Sequence, residues 1–188
     1  MRLETLLQRL EAEQTTLALQ ALLQQQRPAS VLVFGVAGAY PQRHRADAAL
    51  KVGDLCVVGT ERLADEGVAK EDGFLDLAQM GLGDVGPFAA DTVRSQAIAD
   101  ALGCPIVGGA TVSTCSGTET LSAAIAKRTG AAIETMEGAA LALACQAAGV
   151  PWVELRAISN WTGARARGGW DLSRATAALH AAVRRLLA

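Results

Sequence analysis

The stretch Ala131–Asn160, AAIETMEGAALALACQAAGVPWVELRAISN, decides the fold because it predicts a strand, a helix and a second strand in direct succession. Its first part, Ala131–Thr135, is a short apolar run of strand length. From Glu137 onward the pattern changes to small apolar residues, which is typical of a buried helix. Gly149 followed by Pro151 predicts the end of that helix.

The second strand of this stretch is predicted over Pro151–Ile158 and is expected to be broken by Ser159-Asn160. In a parallel strand–helix–strand unit, the carboxyl ends of both strands open onto the same edge, where ligands bind in open α/β sheets. We therefore expect Glu137 and Asn160 to face one crevice. Glu137 lies in the first turn of its helix, where the helix dipole favours an ionised carboxylate.

The rest of the chain alternates between predicted helices and strands. The helices are predicted over Leu3–Gln26, Ala89–Leu102 before Gly103, Thr118–Arg128 before Gly130, and Asp171–Leu187. Strands are predicted over Val31–Val36, Val52–Gly59 and Ile106–Val112, and irregular structure over Pro41–Ala49 and Glu61–Pro87. This alternation predicts one domain over residues 1–188, an α/β protein built as a three-layer α/β/α sandwich with a mainly parallel or mixed central sheet.

Composition and charge exclude several functional classes. The net charge of −2 and the absence of a basic cluster argue against nucleic acid as a partner. Charges throughout the first residues, MRLETLLQRLEAEQ, argue against a signal peptide or a membrane span. The cysteines and histidines lack the spacing of a metal site, so we expect no metal or other cofactor, and reduced thiols in the cytoplasm. These residues are Cys56, Cys104, Cys115, Cys145, His44 and His180.

Two motifs carry a resemblance to a known family. Met136–Ala140, MEGAA, together with Arg156–Asn160, RAISN, resembles the paired signature of the nucleoside phosphorylases and nucleosidases. That family contains methylthioadenosine/adenosylhomocysteine nucleosidase and purine nucleoside phosphorylase. The resemblance extends from about Thr15 to the C-terminus, and three further stretches narrow it to a nucleosidase branch. These are GVAGAYP at 35–41, TVSTCSG at 111–117 and SNWTG at 159–163.

The resemblance implies a phosphorylase/hydrolase-like fold, cleavage of an N-ribosidic bond in a small nucleoside, and a homo-oligomer, most simply a dimer. Glu137 would accept hydrogen bonds from the ribose 2′- and 3′-hydroxyls, which a carboxylate can do together. Met136 would lie against the sugar as an adaptable apolar wall. Local sequence alone favours the alternative, an acid that only complements the helix dipole, whereas the RAISN motif at the matching spacing favours the ribose-binding role.

Asn160 is the residue that addresses the base. Adenine-cleaving relatives carry an Asp at the matching position, whereas an amide offers a donor and an acceptor together. That pair matches a 6-oxopurine protonated at N7, which favours hypoxanthine. The alternative is that Ser159 and Asn160 only turn the chain.

The glycine-containing segment after the first strand is expected to form a wall on the sugar side. Gly35 and Val36 would let the backbone approach the ligand closely. Hexameric phosphorylases of the family carry a phosphate-binding Arg where this chain has Val33. The resemblance therefore implies water rather than phosphate as the nucleophile.

Further residues are expected around the base. Thr114 and Cys115 match the segment that flanks it in relatives, but Thr114 replaces a stacking aromatic, which leaves Trp161 or Phe88 as substitutes. Arg156 matches the motif arginine, with a structural ion pair as the alternative role. The arginine-rich stretch 165–167 is most simply a solvated loop, or holds a carboxylate at the far end of the substrate.

The N-terminal part departs from the family pattern, which begins with a strand, a water-activating acid and two more strands. The residues before Thr15 look helical, so this acid is not assigned. The nearby acids Glu4, Glu11 and Glu13 have no matching context. The activity of the nucleosidase branch is the leading interpretation, and it has two alternatives. One is another purine nucleosidase or phosphorylase, of inosine or methylthioadenosine type. The other is a catalytically impaired nucleoside-binding protein.

Overall fold

The computed structural model describes residues 12–41, 50–163 and 169–188. Its helices are α1 Ala12–Gln25, α2 Thr92–Leu102, α3 Glu119–Thr129, α4 Gly138–Ala148 and α5 Leu172–Leu187. All five helices were expected from the sequence. Residues 3–11 of the first predicted helix and residues 42–49 of the predicted loop lie outside the described residues.

Local capping chemistry fixes the ends of these helices. The side chains of Asp91, Thr118 and Asp171 each accept a hydrogen bond from a backbone N–H in the first turn of α2, α3 and α5. Glycines in the left-handed backbone conformation end α2, α3 and α4, as the sequence predicts. These contacts confirm the predicted stops at 103, 130 and 149.

Eight strands are present in the described residues. They are β1 Val31–Ala39, β2 Leu55–Leu63, β3 Gly67–Lys70, β4 Gly73–Asp76, β5 Phe88–Ala89, β6 Ile106–Thr111, β7 Ile133–Thr135 and β8 Trp152–Trp161. The prediction of irregular structure over Glu61–Pro87 is wrong in part, because β2 continues to Leu63 and β3 and β4 form an antiparallel hairpin. The predicted start of β2 at Val52 is also wrong, since Gly53, at φ 91°, turns the chain there.

The predicted break in β8 is wrong as well. The strand continues past Ser159 and Asn160 to Trp161. Its parallel pairing with β1 shifts register by one residue, with Ala37 opposite Ile158 and Gly38 opposite Asn160. Ser159 is thus the extra residue of a bulge, which absorbs the irregularity without ending the strand.

The sheet contains both parallel and antiparallel pairs. Five of its strands close on themselves, because the first and the last of them also pair with each other. The strand order is β5-β2-β6-β7-β1-β8, and β2 also pairs with β8. The expectation of a simple parallel unit for β7, α4 and β8 is wrong, because β7 is antiparallel to β1 whereas β8 is parallel to it. Strands β7 and β8 therefore run in opposite directions, with β1 between them.

Helices cover both sides of this sheet. On one side α1 and α4 pack together around Leu19, Leu141 and Cys145. On the other side α2 and α5 pack against β1, β2 and β8 around Ala99 and Leu179. This arrangement confirms the predicted α/β fold with helices on both faces. Over the described residues, no helix is both long and apolar enough to cross a bilayer.

Candidate active site

A cavity of about 200 Å³ lies where the β7–α4 junction meets the ends of β1 and β8. Glu137 and Asn160 both line this cavity, as expected from the sequence. Strand β7 runs antiparallel to β1. Glu137, two residues after the end of β7, therefore contacts Arg156 in the middle of β8 and does not lie at a strand edge shared with β8. The lining residues are Val36, Ala37, Gly38, Cys115, Ser116, Glu134, Thr135, Met136, Glu137, Ser159, Asn160, Trp161, Gly163 and Trp170.

Glu137 occupies the cap position of α4 without using its side chain as the cap. The hydroxyl of Thr111 accepts the hydrogen bond from the Ala139 N–H instead, at 2.7 Å. The Glu137 side chain is 27% exposed, and its Oε2 accepts a hydrogen bond from Arg156 Nη1 at 3.2 Å. The carboxylate is therefore held from behind and still has acceptor positions facing the cavity.

Arg156 is buried between two carboxylates. Its Nε–H donates to Glu154 Oε1 at 2.6 Å, and Nη1 donates to Glu137 and to the Val36 carbonyl. Burial alone would lower the pKa of Arg156, but the charges of Glu154 and Glu137 outweigh burial and raise it. Arg156 is therefore a buried, charged residue that orients Glu137. This agrees with a structural ion pair, the alternative role given above for Arg156.

Two glycines of β1 leave room for side chains that follow or belong to β8. A Cβ at Gly35 would lie 2.6 Å from Arg156 Nη1. A Cβ at Gly38 would lie 2.9 Å from Thr162 Cγ2 and 3.2 Å from Asn160 Nδ2. Both positions allow a close approach that any larger residue would block.

The Asn160 amide is held in one orientation. Its Oδ1 accepts a hydrogen bond from the Ser159 hydroxyl at 2.8 Å, and its Nδ2 donates to the Trp161 carbonyl at 3.1 Å. A primary amide has two N–H donors and two acceptor lone pairs. One donor and one acceptor are therefore left for a ligand, as reading a 6-oxopurine edge requires.

A second carboxylate, Glu134, lies in the described cavity wall and was missed by the sequence analysis. Its Oε1 accepts from the Ser116 N–H at 2.9 Å, and its Oε2 contacts the Ser116 hydroxyl and accepts from the Tyr40 hydroxyl at 3.0 Å. Burial and the nearby Glu134 charge raise the pKa of Tyr40. Glu134 therefore anchors the loop after β6 and keeps the Tyr40 phenol neutral.

Two further buried acids were also missed, and both lie on strands. Glu154 and Glu61 are fully buried in β8 and β2. Glu154 stands two residues before Arg156, so the two side chains project from the same face of β8. The sequence does contain a signal for the Glu154–Arg156 pair: two opposite charges stand two positions apart within an apolar strand.

The structure brings seven of the predicted site residues to the cavity and places three outside its lining. The seven are Glu137, Asn160, Met136, Val36, Cys115, Ser159 and Trp161. Gly35 and Arg156 lie behind the wall, and the backbone N–H of Thr114 donates to Asp65 at 3.2 Å. Direct substrate contact by these three stays a prediction.

The two aromatic residues proposed to stack on the base lie in different parts of the structure. Phe88 is a core residue, 4% exposed, packed with the α1–α4 cluster, so its proposed stacking role is wrong. Trp161 lines the cavity and is 42% exposed. Trp170, which the sequence analysis did not select, lines the same cavity.

Several predicted elements fall outside what the structure describes. Arg165 and Arg167 lie in such a segment, as do Glu4 and Glu11, and the side chain of Glu13 is also not described. Val33 is half-buried and packs against the α1–α4 cluster. Among the described lining residues none is Lys or Arg, so none offers a cation to phosphate.

The fold and the cavity together define a class: an α/β protein with a cavity of small-molecule size that is lined by a carboxylate and an amide. A match to a family model specifies this class further. The model described as the phosphorylase superfamily covers residues 11–188, and the chain belongs to this family.

Three curated futalosine hydrolases are similar to this chain. The Thermus thermophilus protein is 39% identical over 160 residues, which cover 84% of this chain and 68% of the relative. The Streptomyces coelicolor protein is 42% identical over 137 residues, which cover 72% of this chain and 57% of the relative. The matches thus span between about half and two thirds of the relatives' lengths. They confirm the nucleosidase branch indicated by the three short stretches.

Solved structures show the same fold. The 5′-methylthioadenosine/S-adenosylhomocysteine nucleosidase of Colwellia psychrerythraea, solved in complex with adenine, superposes with a TM-score of 0.76 at 23% identity. The match covers 94% of this chain and 74% of that protein. At this identity the likeness establishes the architecture alone.

Proposed function

We propose that this chain hydrolyses the N-ribosidic bond of futalosine, releasing hypoxanthine and dehypoxanthinyl futalosine, as a step of menaquinone biosynthesis. Support comes from the futalosine hydrolases it resembles and from the cavity between Glu137 and Asn160. No metal or other cofactor is needed for this reaction, because the leaving base can be stabilised by hydrogen bonding and the sugar by a carboxylate.

The roles of the two residues follow from the charge changes of the reaction. As the bond to the purine breaks, the sugar gains oxocarbenium character and the base gains negative charge. Glu137 accepts the hydrogen bonds of the ribose diol, and its negative charge favours the cationic sugar. Once N7 has taken up a proton from solvent, Asn160 donates to O6 and accepts from N7–H, which stabilises the departing hypoxanthine. Water then forms the new bond to C1′ of the sugar and returns a proton to solvent.

The orientation of the Asn160 amide is the observation that carries the choice of base. The Ser159 hydroxyl lies 2.8 Å from the amide oxygen and 3.2 Å from the Ala37 carbonyl, and the amide nitrogen donates to the Trp161 carbonyl, so one N–H and one oxygen lone pair of the amide are left for the base. An amino group at C6 would place a donor against the amide nitrogen. The held amide therefore favours a 6-oxopurine over adenine.

Assays of purified protein with futalosine and with inosine test the proposal, with hypoxanthine release as the readout. Futalosine should be turned over with the larger kcat/KM. Faster cleavage of inosine or methylthioadenosine would instead identify another purine nucleosidase. Binding of hypoxanthine without turnover of any nucleoside would identify an impaired, ligand-binding member of the family.

We expect turnover to be independent of phosphate. Val33, which is half-buried against the α1–α4 cluster, stands where hexameric phosphorylases carry a phosphate-binding Arg, and water then remains as the nucleophile. Rates measured with and without phosphate, with product analysis, check this expectation. Formation of a sugar 1-phosphate would contradict it.

We also propose a cytoplasmic, single-domain enzyme that forms a homodimer. Large apolar side chains such as Leu17, Leu82 and Val93 are more than half exposed in the isolated chain, as expected if a second copy covers part of the surface. Sedimentation at micromolar concentration should show a dimer. A monomer under these conditions would argue against the assembly and leave the active-site proposal intact.

A further inference from the structure

Glu61 is a fully buried acid directly behind the α4 end of the cavity. Its Oε2 lies 2.8 Å from the Thr111 hydroxyl, and its Oε1 lies 3.0 Å from the Thr135 hydroxyl. A Cβ at Gly109 or at Gly138 would collide with the carboxyl group, so both glycines make room for it. This is a built position for a carboxyl group, and nothing in the proposed reaction uses it directly.

A count of protons indicates that Glu61 is neutral. The Thr111 and Thr135 hydroxyls are also 3.0 Å apart, so the three residues form a ring of three oxygen–oxygen contacts. The two hydroxyls supply two protons, and each hydrogen bond needs one. The third contact is a hydrogen bond only if the Glu61 carboxyl supplies its own proton. The O–H of Glu61 then donates to Thr135, Thr135 donates to Thr111, and Thr111 donates back to Glu61.

The surrounding charges agree with this count. Burial and the negative charge of Glu154 raise the pKa of Glu61 to about 8, against the opposing effects of Arg156 and of the two threonines. The charge of Arg156 is already shared between Glu154 and Glu137, at 2.6 Å and 3.2 Å. A charge on Glu61 would add a third carboxylate around one buried guanidinium.

The ring is connected to Glu137 through the start of α4. Thr111, whose hydrogen is directed toward Glu61, is the residue that accepts from the Ala139 N–H. This contact provides the side-chain cap that Glu137 does not provide. We propose that Glu61 is a positioning residue that acts as a neutral carboxylic acid: it closes the ring that caps α4 and leaves the Glu137 carboxylate free for the substrate.

This inference rests on the proposed function, because it assumes that Glu137 binds the ribose. It also predicts a pH dependence. The charged groups near Glu61 are Glu154 and Arg156 of β8, with Glu137 beyond Arg156, while β6, β7 and α4 present the neutral Thr111, Thr135 and glycine backbone. Loss of the Glu61 proton above about pH 8 leaves one contact of the ring without a hydrogen and places a third negative charge beside Arg156, which weakens the contact of Arg156 with Glu137.

Glu61→Gln is the variant that separates a neutral acid from an ionised one. Its amide N–H₂ can donate to Thr135 and its oxygen can accept from Thr111, so the ring persists with nothing to titrate. At neutral pH the variant should keep kcat/KM within about threefold of the parent, since the hydrogen bonds are conserved. The fall in kcat/KM near pH 8 that we expect for the parent should be absent from the variant.

Thr111→Val is the matched control, because it removes both the ring and the cap. It should lose about tenfold or more in kcat/KM at every pH, the scale of a buried N–H left without a partner. A parent profile that stays flat above pH 8, a Gln variant that keeps the alkaline fall, or a folded Gln variant that is inactive at neutral pH would each overturn the proposal.

A second measurement does not depend on activity. With a folded pKa of about 8 and an ordinary value of 4.5, the folded state keeps the Glu61 proton that the unfolded state loses. The stabilisation from Glu61 is fully present below pH 4.5 and is lost as pH rises to 8. The unfolding constant of the parent relative to Glu61→Gln should therefore rise by up to about tenfold per pH unit across this window.

The two measurements separate the two proposals. A rising stability ratio without nucleosidase activity would reject the proposed function and retain the neutral Glu61. Activity on futalosine with a flat stability ratio would retain the function and reject the neutral acid.

Discussion

Glu137→Gln should reduce kcat/KM for futalosine by about 10²-fold or more, the scale of a single electrostatic contact at a transition state. The substitution keeps the shape of the side chain and removes the negative charge. The new amide would also present an N–H group to the ribose hydroxyls or to Arg156 Nη1, which donates to Glu137 Oε2 at 3.2 Å. Initial rates of hypoxanthine release measure the loss.

Glu119→Gln is the control for this substitution. Glu119 is an acid in the first turn of α3, and it does not line the cavity. The variant therefore makes the same change of charge at a helix start without touching the proposed sugar site. Its kcat/KM should stay within about twofold of the parent, as for most surface substitutions. Near-normal activity of both variants would reduce Glu137 to a residue that complements the helix dipole.

Asn160→Asp should change the base preference of the enzyme. The substitution replaces the N–H donor that faces O6 by an acceptor, so an ionised carboxylate at this position would oppose O6 with like partial charge. We expect a loss of about 2–4 kcal/mol of transition-state stabilisation for hypoxanthine nucleosides, the scale of a mispaired buried polar group. Adenine nucleosides should lose far less, because a protonated acid can serve their N7.

The decisive quantity is the ratio of kcat/KM for matched 6-oxo and 6-amino nucleosides, such as inosine and adenosine, in both proteins. A ratio cancels any general loss of folded enzyme, since both substrates are measured on the same preparation. The variant also loses the hydrogen bond from Asn160 to the Trp161 carbonyl, and the ratio cancels this loss as well because it is common to both substrates. An unchanged ratio would mean that Asn160 does not read the base.

The elements that could be predicted from the sequence are those whose limits are set by local chemistry. Asp91, Thr118 and Asp171 cap helices with their own side chains, and Gly103 and Gly130 end them in the left-handed conformation. These interactions involve residues three or four positions apart. The residue pattern therefore contains them without knowledge of the tertiary fold.

The features that the sequence did not reveal depend on distant partners. Strand β8 continues through Ser159 because β1 offers a register shift opposite it. The direction of β7 is set by its antiparallel pairing with Gly38 and Ala39 of β1. No local pattern specifies which strand will be the neighbour. Glu137 and Asn160 were expected to lie together because of a parallel β7–α4–β8 unit, whereas the structure brings them together through β1.

The site was predicted through its motifs, and its supporting residues were missed. Glu137 and Asn160 were found because family motifs contain them. Glu61 and Glu154 are isolated acids in apolar strands, and their partners lie on other elements or depend on the strand's own pleat. The predicted end of β2 at Gly59 left Glu61 outside the strand, whereas Glu154 lay inside its predicted strand without an assigned role.

The parallel pairing of β1 with β8 has a consequence for the growing chain. Val31 lies beside Trp152, and Gly38 lies beside Asn160, so segments far apart in the described chain form one wall of the cavity. Closing a loop of about 120 residues is entropically costly, and such contacts form late. A chain still on the ribosome that has completed α4 but not β8 therefore has no base-reading wall. Because a ligand stabilises only the state that it binds, a nucleoside can assist only chains whose synthesis has passed Trp161.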